Sequence, residues 1–114
     1  MARKGIGIIS LLFIMASLFL FPVSVHSQAD GPVVYTVAVE DTVTAGTAKN
    51  IKRAIDYSQR QNADALVILI NTPGGLVDAT LDIIQTISAA KVPVITYVTP
   101  KGAIAASAGT FILM

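Results

Sequence analysis

Hydrophobic and polar positions alternate in rhythm along the chain. Val33–Val39 (VVYTVAV) is rich in β-branched residues and predicts a strand. A polar turn over Asp41–Thr47, with Gly46 inside it, follows. From Ala48 to Gln61 the spacing becomes helical: Ile51, Ala54, Ile55 and Ser58 recur on one face, and Lys49, Lys52, Arg53 and Arg60 take the others. Thr44 or Thr47 can cap that helix. Ala65–Ile70 (ALVILI) is a continuous apolar run, which predicts a strand covered by helices on both faces of a parallel sheet. Asn71-Thr72-Pro73-Gly74-Gly75 interrupts it sharply. Leu76–Ala89 resumes helical spacing, with Leu76, Thr80, Ile83, Ile84 and Ile87 on one side. Asp78 stands in its first turn, where the helix macrodipole favours an anion. Val92–Val98 predicts a third strand that tolerates Pro93 near its start. After the loop Thr99–Gly102, a third helix is expected to begin near Ala103 to Ser107.

Strands and helices in strict alternation predict an α/β fold with a largely parallel sheet. The chain closes on the apolar Thr110–Met114 with no capping or stop signal, which predicts the front part of a longer domain and an incomplete sheet.

The first residues follow another pattern. Arg3 and Lys4 precede the uncharged run Gly5–Phe21, and Pro22 ends it. Small residues then offer cuts after Ser27 or Ala29. This predicts a signal peptide over residues 1–27, followed by a domain over residues 28–114. The run is close to the roughly 20 residues that span a bilayer, so an uncleaved anchor is the alternative. Either way the domain is expected outside the cytoplasm, on the membrane's extracytoplasmic side.

Composition narrows the chemistry. The chain has 114 residues, 54% of them hydrophobic and 13% charged, which argues against disorder. Eight basic residues against seven acidic ones give no basic excess for nucleic acid. With no cysteine there is no disulfide framework or thiolate metal site, and no cofactor is expected. The single histidine, His26, would leave with the leader, so the exported part has no Ser-His-Asp triad.

Two segments could carry chemistry. The diglycine turn Asn71–Gly75 lies at a strand's carboxyl end, where ligands bind in open α/β sheets, and glycines there allow close backbone approach. The plain alternative is a tight strand-to-helix turn. Neither GxxxxGK[ST] nor GxGxxG is present, which argues against nucleotide phosphates. The second segment, Ala103–Thr110 (AIAASAGT), sets Ser107 among small residues after another strand. It reads either as a tightly packing helix or as a nucleophile with nearby backbone N–H groups to hold an oxyanion. A nucleophilic serine needs a base, and Lys49, Lys52, Lys91 and Lys101 all read as solvated.

Taken together, VVYTVAVEDTVTAGTAKNIKRAI, ADALVILINTPGGLVDAT and PVITYVTPKGAIAASAGTFI resemble the ClpP-class serine proteases of the ClpP/crotonase fold. The nearest resemblance is to the NfeD family of membrane-bound serine proteases, the stomatin operon partners. It spans residues 33 to 114. The resemblance implies Ser107 as nucleophile, with the N–H groups of Gly75 and Ala108 as oxyanion hole. It implies Gly74, Leu76 and Val77 along the channel for an extended substrate. It further implies a Ser-Lys dyad whose lysine lies beyond Met114, so that this chain alone is expected to be inactive. Hydrophobic segments of membrane proteins, stomatin-like partners among them, are the implied substrates, and a homo-oligomer the implied assembly. A non-catalytic module that docks a membrane partner is the alternative. A crotonase-type acyl-CoA enzyme is a third reading, disfavoured by the export signal.

Overall fold

A computed structural model describes residues 31–114. The leader expected over residues 1–27 lies outside the described residues. Three strands, β1 (Val34–Glu40), β2 (Ala65–Asn71) and β3 (Val94–Val98), form one sheet in the order β1-β2-β3. Both pairings are parallel. Helix α1 (Ala45–Arg60) joins β1 to β2, and α2 (Val77–Ser88) joins β2 to β3. A short helix, α3 (Ala108–Leu113), follows. The α/β class and the parallel sheet are those expected from the alternation. No helix among the described residues is long and apolar enough to cross a membrane.

The register explains the core. Tyr35, Leu66 and Val94 stand side by side across the sheet, as do Val37, Ile68 and Thr96, and Val39, Ile70 and Val98. Side chains alternate faces along a strand, so these rows share one face. Leu66, Ile68 and Ile70 are fully buried there and join Ile51 and Ile55 of α1 and Ile83 of α2 in one apolar cluster. At its border Tyr35 meets Tyr57 edge-on, ring centroids 5.2 Å apart, and desolvation raises the Tyr35 phenol above its ordinary pKa.

α1 begins three residues earlier than its apolar stripe suggests, because the two threonines act together. The Thr44 hydroxyl accepts from the Thr47 N–H, and the Thr47 hydroxyl accepts from the Thr44 N–H. That is a reciprocal capping box. Ser58, fully buried in the helix stripe, donates its hydroxyl to the Ala54 carbonyl at 2.8 Å and leaves no unpaired group in the core.

Two expectations need correction. Among the described residues β2 is covered on one face only. On the other, Ala65, Val67 and Leu69 are half-buried and lie between exposed Thr36, Ala38, Ile95 and Tyr97. Successive strands are neighbours, and crossovers of one hand carry both connecting helices to the same side. α1 and α2 accordingly pack on each other. The second correction concerns α3, expected to begin near Ala103 to Ser107, which starts at Ala108 with Ser107 in the N-cap position. The small residues before it are good helix formers, yet Ala105 pairs in parallel with Thr72. Ser107, at φ 49° and ψ −113°, lies outside the helical well.

Ile68→Ala, at the buried centre of β2, should lower unfolding free energy by about 2–5 kcal/mol. Thr44→Ala, which removes only the cap, should cost about 1 kcal/mol. Urea unfolding monitored by circular dichroism measures both.

Candidate functional site

Past the carboxyl ends of the strands, three segments continue as a short backbone ladder. On one side, the Val43 N–H donates to the Gly74 carbonyl (2.8 Å) and the Leu76 N–H to the Val43 carbonyl (2.9 Å). On the other, the Thr72 N–H donates to the Ile104 carbonyl (2.8 Å) and the Ala106 N–H to the Thr72 carbonyl (3.1 Å). The Asn71 side-chain oxygen accepts from the Ile104 N–H at 3.2 Å. The Asn71–Gly75 turn is thus the middle strand of this extension.

That pairing decides where the Gly75 amide points. Successive N–H groups of an extended segment face opposite sides. With the Leu76 N–H committed to Val43, the Gly75 N–H faces away from it. Gly75 is exposed, and among the described residues its N–H donates to no backbone acceptor. Its lack of a side chain is a packing requirement: a Cβ would fall 2.5 Å from the Val43 nitrogen and 2.7 Å from its carbonyl carbon. Gly74 is buried and has φ +121°, a region that disfavours a side chain. A Cβ there would lie 2.8 Å from the Ser107 Cβ and 3.2 Å from its Oγ. The diglycine bend and Ser107 are therefore in contact, with no side chain between them.

Ser107 is exposed and caps α3 in position only, its hydroxyl making no capping hydrogen bond. Positive φ on a β-substituted residue costs on the order of 1–3 kcal/mol, and such strain concentrates at active sites. Beyond it, the Gly109 N–H donates to the Ala106 carbonyl (2.9 Å) and the Thr110 N–H to the Ser107 carbonyl (3.0 Å). The Ala108 N–H between them has no backbone acceptor among the described residues.

Gly75, Ser107 and Ala108 share a pocket of about 190 Å³ whose walls are Val77, Thr80, Leu81, Ile84 and Phe111. No carboxylate, lysine or arginine lines it. The Thr80 hydroxyl is turned to the Leu76 carbonyl (2.8 Å), which leaves the walls apolar. Of the six residues singled out from the sequence, four meet here: Ser107, Gly75, Ala108 and Val77. Gly74 lies behind Ser107, and Leu76, though exposed, stands outside the pocket. Lys49, Lys52, Lys91 and Lys101 are all exposed and none reaches it. Among the described residues no group of acidic or histidine side chains could hold a metal ion.

Sequence reasoning missed Thr80, Leu81, Ile84 and Phe111 of the pocket lining, and the buried Thr72 of the turn. Leu81 and Ile84 have a signal in hindsight, since they follow Val77 at helical spacing. Thr72 has none, because a threonine before proline reads as an ordinary turn residue.

Residues 33–114 match the family described as NfeD1b, N-terminal domain. The membrane-bound protease PH1510 of Pyrococcus horikoshii is 43% identical over 82 residues, which are 72% of this chain and 19% of that protein. The membrane protein NfeD1b of Bacillus subtilis is 34% identical over 97 residues, 85% of this chain and 22% of that one. A solved structure of the 1510-N membrane-bound stomatin-specific protease, a lysine-to-alanine mutant in complex with a substrate peptide, is 42% identical. It superposes with a TM-score of 0.71 over 74% of this chain and 38% of its own. The chain thus spans about a fifth of the length of the curated relatives it matches.

Gly75→Ala should destabilise the fold by about 1–3 kcal/mol, because the added methyl overlaps the Val43 backbone. Gly31→Ala, with no atom within 4 Å of the new methyl, should stay within about 0.5 kcal/mol of wild type. Thermal unfolding of both variants tests the comparison.

Proposed function

We propose that this chain, which belongs to the NfeD1b N-terminal domain family, is the nucleophile-bearing part of a membrane-associated serine endopeptidase. The observation that carries the reading is the meeting of Ser107, strained and without a capping bond, with two backbone amides that have no backbone acceptor among the described residues, on one apolar pocket. In this reading the Ser107 Oγ attacks a peptide carbonyl, and the Gly75 and Ala108 N–H groups receive the oxyanion. Donors already oriented in a dry site need no reorganisation as charge develops, and one such donor is typically worth about 3 kcal/mol of barrier. Val77, Leu81, Ile84 and Phe111 would receive an apolar substrate side chain beside the scissile bond, and Gly74 and Leu76 would border the peptide's path.

The base is assigned to a lysine outside this chain. A lysine becomes a base near neutral pH only when desolvated, and the four in the described residues are exposed. That the peptide complex of the solved relative is a lysine-to-alanine mutant is in keeping with a Ser-Lys dyad. The relatives named as membrane-bound, together with Arg3, Lys4 and the apolar run Gly5–Phe21, support export to the extracytoplasmic side of a membrane. The leader would then be cut after Ser27 or Ala29 or kept as an anchor. The stomatin-specific relative supports a stomatin-like membrane protein as substrate and partner, and we extend to this chain the expectation of a homo-oligomer.

Ser107→Ala in the full-length protein should lower hydrophobic-peptide cleavage by on the order of a thousandfold or more while leaving circular dichroism unchanged. Retained turnover would remove Ser107 from the nucleophile role and favour a non-catalytic docking module. Purified residues 28–114 should cleave no such peptide; turnover by that piece would place the base within it.

A further inference from the structure

We propose that Thr72 is a positioning residue for the oxyanion site, acting through the Gly74–Gly75 peptide. The inference rests on the reading of Ser107 as nucleophile. Thr72 is fully buried, and its hydroxyl lies at the centre of the three-segment ladder. It accepts from the Gly74 N–H at 3.1 Å. Its single proton has two acceptors in reach, the Asp41 carbonyl and, at 3.2 Å, the Gly74 carbonyl. One hydroxyl therefore touches both peptide groups that flank Gly74.

Those two groups are the ones free to swing. A glycine at φ +121° is not held by side-chain sterics, so rotation about its backbone bonds meets little intrinsic resistance. The peptide unit is planar and trans, so the Gly74 carbonyl and the Gly75 N–H point in opposite directions. Fixing the carbonyl fixes the amide. The Val43 N–H holds that carbonyl from one side at 2.8 Å, and the Thr72 hydroxyl meets it from within. The remaining substituent of Thr72 sets the hydroxyl in turn. Its Cγ2 faces Gly109 so closely that a Cβ on that glycine would lie 2.9 Å away. A β-branched side chain with one methyl packed has little freedom at χ1. Gly109, one residue after the second oxyanion donor, thus locks the group that aims the first.

The hydroxyl and the methyl make separable predictions, tested in the full-length protein by peptide cleavage, inhibition by a hydrophobic peptide aldehyde, and thermal unfolding. Thr72→Val keeps the shape and loses the hydroxyl. Its kcat should fall roughly 10- to 100-fold with KM within about threefold, and aldehyde affinity should weaken by a similar factor. Thr72→Ser keeps the hydroxyl and loses the methyl. Its Tm should drop, and its kcat should fall by less than about tenfold, because the hydroxyl is kept although its χ1 is less confined. Wild-type kcat in Thr72→Val, or a kcat loss in Thr72→Ser above about tenfold, overturns the proposal; the serine arm decides alone if the valine variant does not fold. Wild-type turnover in Ser107→Ala overturns the underlying peptidase reading as well, and the same assay shows it separately.

Discussion

The backbone pairing of the Asn71–Leu76 turn with Val43 on one side and Ile104–Ala106 on the other is the constraint on which the site depends. It extends the parallel sheet beyond its strands by irregular segments that hydrogen-bond like strands. The placing of Gly75 and Ser107 is a consequence. The Gly75 amide faces away from Val43 because the Gly74 carbonyl and the Leu76 N–H are committed to Val43. Ser107 abuts the bend because the residues before it are held against Thr72, and α3 can begin only after them.

Close approach sets the residue types. Gly74 against Ser107, Gly75 against Val43 and Gly109 against Thr72 are three contacts with no room for a methyl group. Small residues cost backbone entropy on folding, and Ser107 adds strain of its own. The apolar cluster of Ile51, Ile55, Leu66, Ile68, Ile70 and Ile83 supplies burial that offsets these costs. The result is a bend held on both sides by backbone hydrogen bonds, beside two N–H groups, of Gly75 and Ala108, that have no backbone acceptor among the described residues.

Much of this was legible in the residues. β-branched and continuous apolar runs gave three strands, and the Ile51, Ile55, Ser58 stripe gave α1, since these signals are local. ALVILI carries no polar alternation, which by itself predicts burial of β2 on both faces. Which face the helices cover depends on the order of strands, and a single strand does not encode it. Alanines favour a helix locally, so the run from Ala103 predicts an early start for α3; pairing of Ala105 with Thr72, more than thirty residues earlier, delays it to Ala108. The motifs NTPGG and AASAGT pointed to three of the residues that line the pocket, Gly75, Ser107 and Ala108. Their dependence on Thr72 was hidden, because a hydroxyl that grips a neighbouring peptide leaves no periodic trace.

A crystal structure of the full-length protein with a hydrophobic peptide boronic acid tests the central claim most directly. The account predicts boron bonded to the Ser107 Oγ and one boronate oxygen about 2.7–3.1 Å from both the Gly75 and Ala108 nitrogens, with the peptide's apolar side chain against Val77, Leu81, Ile84 and Phe111. Boron bound elsewhere, or a boronate oxygen turned to solvent with both amides unengaged, would contradict it.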